Sequence, residues 1–168
     1  MPIKDIQMTE EKYILKKEEI EQSEGVSKTH FLNDSAQCTN KSLGSFVGLT
    51  GFGFHIMEIQ PGQYSTEHHL HYNEDECVYI LSGEGTARIG DEFFPISEGD
   101  FLGYRKGGMA HSINNTGEGV LKCITVGQRL ESDVVDYPEK EKRMFRTKGL
   151  SWKVADFANT NERPISKK

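Results

Sequence analysis

Between Gly44 and Gly127 the chain alternates short apolar runs with turn-forming clusters. FGFHIMEI is followed by Pro61-Gly62, ECVYIL by Ser82-Gly83-Glu84-Gly85, TARI by Gly90-Asp91, EFFPI by Glu98-Gly99-Asp100 and VLKCITV by Gly127. Short β-rich runs separated by regular turn signals predict the strands of an all-β sandwich or barrel. Fifteen of the 17 glycines fall in this stretch, which sets it apart from both ends. Gly90-Asp91 is a two-residue hairpin candidate, because glycine supplies the positive φ that such turns need. Asn114-Asn115-Thr116-Gly117 is a second turn cluster, with Asn115 as its expected anchor. Gly62, Gly83, Gly99 and Gly108 read as backbone devices for tight turns.

The ends have another composition. Residues 9–24, TEEKYILKKEEIEQSE, fit either a strand at YIL followed by a helical turn at KKEEIE, or one helix. Residues 128–168 carry Tyr137-Pro138, the charged run EKEKR and the amphipathic GLSWKVADF. Trp152 and Phe157 are expected to pack against the sheet core or a partner subunit, and NTNERPISKK is polar enough for a disordered tail. The chain thus divides into an N-terminal extension over 1–40, a core over 41–128 and a C-terminal extension over 129–168.

At 168 residues the chain suits one domain with short extensions. An apolar content of 35% is workable for a sheet protein with one wet face. Twenty basic and 26 acidic residues give a net charge of −6, and no basic stripe is interleaved with aromatics, so no nucleic-acid partner is expected. Cys38, Cys77 and Cys123 are an odd, sparse set, which argues against a disulfide scaffold and for a reducing compartment. The start MPIKDIQMTEEKY lacks the apolar core of a signal peptide, and no run reaches membrane-spanning length. A cytoplasmic protein without a membrane partner is the expectation.

Five of the six histidines lie in the glycine-rich stretch, three of them in EHHLHYNEDE. In a strand, residues i and i+2 share a face, so His69 and His71 point together while His68 points oppositely. A turn at Tyr72-Asn73-Glu74 would let the next strand start beside the previous one and bring Glu76 to the same interior point. His111 begins a later strand in GGMAHSINN. Three imidazoles and one carboxylate suit Mn, Fe, Co, Ni or Zn. An HxH pair taken alone also fits two surface histidines of an edge strand.

Two longer segments carry a family resemblance. PGQYSTEHHLHYNEDECVYILSG resembles the first cupin motif: Gly62, a spacer, His69-x-His71, four residues, Glu76, six residues, Gly83. GDFLGYRKGGMAHSINN resembles the second: Gly99, Gly108, two residues, His111, three residues, Asn115. HFLN, KSLGSFVGLTGFGFHIMEI, VGQRLESDVVDYP and KRMFRTKGLSW extend the likeness to small single-domain bacterial cupins, loosely mannose-6-phosphate-isomerase-like, over roughly residues 30–157. The resemblance implies a double-stranded β-helix, the cupin jelly-roll barrel, with short mixed extensions at both ends. It also implies one divalent metal ion on His69, His71, Glu76 and His111, and a homodimer. Two departures fall at the barrel mouth. Lys106 stands where the second motif usually has proline, and the span from Gly99 to His111 is one residue longer than usual.

Other residues are candidates for contact with a ligand. His55 shares a face with Met57 and Ile59 and reads as a core or pocket-wall histidine. Tyr64, Tyr79 and Tyr104 could present hydroxyls to a ligand or simply pack in their strands. Arg105 and Lys106 could clamp a carboxylate or phosphate at the mouth, or stand as solvated loop cations. His30 reads as structural or exposed, and Cys77 as an inert thiol facing away from the metal.

Four protein ligands would close a tetrahedral zinc site, whereas an octahedral metal would keep two positions open. The function expected is therefore a metalloenzyme of isomerase, epimerase or dioxygenase type, acting on a small anionic or sugar-like molecule. The alternative is a metal-dependent binding or sensing module without turnover.

Overall fold

The structure, a computed structural model, describes residues 12–161. The expectations placed on residues 9–11 and on the tail beyond Asn161 lie outside the described residues. A short helix α1 (Lys17–Gln22) precedes the strands β1 (Val26–His30) and β2 (Asn33–Ser42). A single helical turn α2 (Leu43–Phe46) leads into β3 (Phe52–Ile59). There follow β4 (Leu70–His71), β5 (Glu76–Ser82), β6 (Glu84–Ile89), β7 (Glu92–Ser97), β8 (Phe101–Tyr104), β9 (His111–Asn114) and β10 (Leu121–Gln128). The C-terminal part adds β11 (Ser132–Tyr137), β12 (Lys142–Thr147) and β13 (Lys153–Asp156). Of the alternatives for residues 9–24, the helical turn forms, over Lys17–Gln22, and Tyr13–Leu15 is neither helix nor strand.

One wall of the barrel is a six-stranded antiparallel sheet in the order β1-β2-β3-β10-β5-β8. Facing it are a three-stranded sheet, β7-β6-β9, and a four-stranded sheet, β13-β12-β11-β4. Residues 62–71 join these two into one wall by running antiparallel to β9. Ser65 N–H donates to the Ile113 carbonyl at 2.8 Å, and His69 and His111 exchange backbone bonds at 3.1 and 2.7 Å. The arrangement is a jelly-roll β-barrel.

Alternation sets what fills the interior. Met57, Ile59, Val78, Ile80, Leu121 and Cys123 project inward from β3, β5 and β10, and Ala87, Ile96, Leu102 and Ile113 meet them from the other side. A smaller cluster of Val135, Tyr137 and Met144 lies under β11 and β12. On the outer face of the six-stranded sheet, Ile56, Ile124, Tyr79 and Phe101 are laid side by side by strand register.

The turns follow the sequence signals. Ile89 pairs with Glu92, so Gly90-Asp91 forms the two-residue loop of the β6–β7 hairpin, with φ +59° at Gly90. Gly83 combines φ +88° with a close approach, since a Cβ there would sit 2.7 Å from the Val120 carbonyl oxygen. Asn115 anchors its turn from a fully buried position. Its Nδ2 donates to the carbonyls of Ile59 (2.7 Å) and Gly119 (2.8 Å), and its Oδ1 accepts from Gly117 N–H at 3.0 Å. One side chain thus ties the end of β3 to the turn after β9. Asn115→Ala would leave three backbone groups short of a partner at about 1 kcal/mol or more each. Urea unfolding is expected to show a loss of about 3 kcal/mol, and a loss under about 1 kcal/mol would contradict this role.

Candidate metal centre

The four donors stand on four different stretches of the barrel. His69 lies in the segment along β9, His71 in β4, Glu76 at the start of β5 and His111 at the start of β9. Glu76 Oε2 is the hub of the group, 3.2 Å from His111 Nε2, 3.9 Å from His69 Nε2 and 4.0 Å from His71 Nε2. His69 Nε2 and His71 Nε2 are 3.1 Å apart. His69, Glu76 and His111 present ligand atoms that all fall within 4.8 Å of one another.

The opposite ring nitrogens explain why the Nε2 atoms converge. His69 Nδ1 faces the Glu67 carbonyl at 2.8 Å, His71 Nδ1 faces Asp133 Oδ2 at 2.6 Å, and His111 Nδ1 faces the Met109 carbonyl at 3.4 Å. Each partner is an acceptor, which in a neutral ring favours the proton on Nδ1 and leaves Nε2 as the atom able to ligate an ion. Two bare nitrogens at 3.1 Å, with a carboxylate oxygen beside them, repel one another unless a proton or a cation lies between them. The residues present therefore fit a divalent ion by donor type, by number and by orientation.

Burial and the neighbouring groups set the charge states of the cluster. Burial, with His111 adding to it, pushes the His69 imidazole down to about 3. Burial alone would raise the Glu76 carboxyl, but the His111 hydrogen bond and the surrounding imidazoles bring it to about 2. Burial would also depress His71, and its bond to Asp133 with the Glu76 charge outweighs that and raises it. Asp133, itself fully buried, accepts from Asn73 N–H at 3.0 Å and lies 3.6 Å from Arg146. Burial pushes the Cys123 thiol up to about 12 and raises Cys38 and Cys77, which keeps the three cysteines in their thiol form.

The centre opens into a cavity of about 430 Å³ between the two walls. His55 and Tyr104 line it, together with His69, Glu76 and His111. The Tyr104 ring stacks on His111 at 3.6 Å between centroids, and burial raises its phenol. Four buried polar atoms of the lining lack a partner among the described residues: Asn40 Oδ1, His55 Nδ1, Tyr104 Oη and Thr125 Oγ1. Gly53 makes room for His55, because a Cβ at 53 would meet its Nε2 at 2.6 Å. Burial, Lys28 and Arg129 together lower the His55 imidazole, leaving it neutral.

The other expected pocket residues lie elsewhere. Tyr64 lines a second cavity on the outer side of the wall. Arg105 and Lys106 are exposed and border none of the described cavities. The reason is local: Lys106 N–H donates to Asp75 Oδ1 at 2.8 Å and Gly107 N–H to the His71 carbonyl at 2.7 Å, so the loop folds back on the β4–β5 turn. Proline, which has no N–H, could not make the first of these bonds. The cation that does border the cavity is Lys28 on β1, and Trp152 stands at the rim with 60% exposure. His68 is buried behind the wall, with Nδ1 3.3 Å from Ser112 Oγ, and His30 stacks on Phe31 at 4.7 Å.

Known proteins carry related chains. A cupin domain model matches residues 55–127. A solved structure from Acidithiobacillus ferrooxidans, provisionally named a sugar phosphate isomerase, is 45% identical, with a TM-score of 0.88 over 90% of this chain and 97% of that one. An oxalate-binding protein from Thermotoga maritima is 38% identical over 73 residues, 44% of this chain and 59% of its own. The (S)-ureidoglycine aminohydrolase of Arabidopsis thaliana is 35% identical over 51 residues, 30% of this chain but 17% of the plant protein. The aligned stretch is thus about a sixth of the plant enzyme's length. A domain match laid over the four donors, with a relative that shares almost its whole length and fold, places this chain in the cupin superfamily.

Proposed function

We propose that this protein is a metal-dependent isomerase whose substrate is a small hydroxy-carbonyl compound bearing an anionic group, of the sugar phosphate kind. The observation that carries the reading is the group of His69, Glu76 and His111 ligand atoms within 4.8 Å of one another, with His71 Nε2 3.1 Å from His69 Nε2, at the wall of a cavity with polar atoms that lack a described partner. The relative from Acidithiobacillus ferrooxidans, similar over its full length and provisionally named for that activity, supports the choice among cupin chemistries. His69, His71, Glu76 and His111 hold one divalent ion, with Asp133 fixing the orientation of His71. A bound divalent ion supplies Lewis-acid polarisation of a carbonyl or hydroxyl oxygen.

The chain's own groups divide the remaining work. His55, neutral and with Nδ1 free of any described partner, is the base that takes a proton from the carbon next to the carbonyl and returns it to the neighbouring carbon. Tyr104, kept protonated by burial, donates its phenolic O–H to a substrate oxygen. Lys28, exposed at the cavity edge, receives the anionic group. The apolar side chains Met57, Val78 and Ile113 keep water from the reacting end. A binding module without turnover is the second reading, and it rests on the likeness over 73 residues to the Thermotoga oxalate-binding protein.

Two copies are proposed to pair through the outer face of the six-stranded sheet, where the uncharged row Ile56, Ile124, Tyr79 and Phe101 lies in register. Phe101, on the edge strand at one end of that row, is its most exposed member at 67%. Light scattering is expected to give a dimer mass for the parent and a monomer mass for Phe101→Glu, and a monomeric parent would remove the pairing.

The catalytic reading is tested by proton NMR of aldose and ketose phosphates incubated in D2O with metal-loaded protein. Deuterium is expected to enter the carbon next to the carbonyl, and His55→Ala should slow this by about a hundredfold or more. Saturable binding of these phosphates without any exchange would favour the binding module.

A further inference from the structure

A second cavity, of about 420 Å³, lies on the side of β9 turned away from the metal centre. His111 and Ile113 point inward, so the alternate residues Ser112 and Asn114 face outward, beside Thr86 and Arg88 of β6. The turn after β11, carrying Glu139 and Lys140, forms a flank.

Two acceptors in this lining are buried and unpartnered. Glu67 is 3% exposed, and its Oε2 has no hydrogen-bond donor among the described residues. The nearest cation, Lys140 Nζ, is 3.8 Å away, close enough to balance the charge but too far to donate. Asn114 Oδ1 is likewise orphaned. Buried acceptors left unsatisfied cost about 1–3 kcal/mol each, so the site calls for donors from outside the chain.

The charge balance narrows what those donors can be. Glu67 and Glu139 are matched by Lys140 and Arg88. Arg88 is already committed: it bonds Glu139 and the Gly90 carbonyl and lies 3.6 Å from Asp91. Among the described residues of the lining no free cation remains for an anion and no free negative charge for an ammonium group. Hydroxyls are neutral donors that can also accept from Thr86 and Thr116, which already bond each other at 3.0 Å. Phe93, 65% exposed with Arg88 over its ring at 5.6 Å, adds a flat apolar surface for C–H groups.

We propose that this outer cavity binds a neutral, hydroxyl-rich ligand, a saccharide or polyol, between the Glu67 and Asn114 acceptors and the Phe93 ring. It shares neither the four metal donors nor His55 and Tyr104, so it stands or falls separately from the isomerase reading.

The test is a ¹H–¹⁵N NMR titration of the full chain with glucose, mannose and myo-inositol, with choline and gluconate as charged controls. The neutral compounds are expected to shift the amides of Thr86, Asn114 and Thr116 saturably at millimolar concentration. Phe93→Ala, which alters an exposed ring and whose spectrum reports its own folding, should weaken binding about tenfold, as should Glu67→Gln. Metal content should be the same in all three proteins. The proposal is overturned by no saturable shift with any neutral compound, by shifts confined to residues of the interior cavity, or by a response to choline or gluconate alone.

Discussion

Four acceptor atoms held against one another in a buried space are the constraint around which this barrel is organised. Left alone, the Nε2 atoms of His69 and His71 at 3.1 Å and the Glu76 carboxylate beside them would drift apart. Each is held from behind instead. The Glu67 carbonyl, Asp133 and the Met109 carbonyl take the three Nδ1 protons, and the Tyr104 ring lies flat on His111. The arrangement suits a cation by orientation and donor type, which is the basis of the proposed metal site.

The wall opposite the six-stranded sheet makes this possible because it is not one regular sheet. β4 is only two residues long, and the chain from Gly62 to His71 crosses from β9 to β11. That crossing carries His69 toward β9 and His71 toward β11, and it lets Asp133 reach His71 from the C-terminal part. Glu74, also buried, accepts from Leu130 N–H and pairs with Arg146, which fastens β11 and β12 to the same corner. The C-terminal strands are therefore part of the site's support as well as a continuation of the wall.

The barrel was legible in the sequence because its strands are short and its turns carry glycine or asparagine at the positions that require them, as at Gly90 and Asn115. The His-x-His spacing was legible for the same reason, since a period of two puts both rings on one face. Asp133 was not. It lies 62 residues beyond His71, in SDVVDY, where a buried aspartate and an exposed one look alike. The absence of proline at Lys106 pointed to a changed loop without saying how. Only the bond from its N–H to Asp75 shows that the loop folds back and takes Arg105 and Lys106 away from the cavities. Lys28, in a strand of exposed residues far from either motif, gave no signal of its place at the cavity edge.

Metal binding to the protein, purified without a nickel column and stripped with chelator, tests the central claim most directly. Titration with Mn, Fe, Co, Ni and Zn, read by calorimetry and by mass spectrometry of the retained ion, should give one equivalent per chain. It should give none in a His69→Ala, His111→Ala double variant, and an affinity lower by about 10- to 100-fold in Asp133→Ala. Failure of the parent to retain any of these ions, or equal retention by the double variant, would contradict the account.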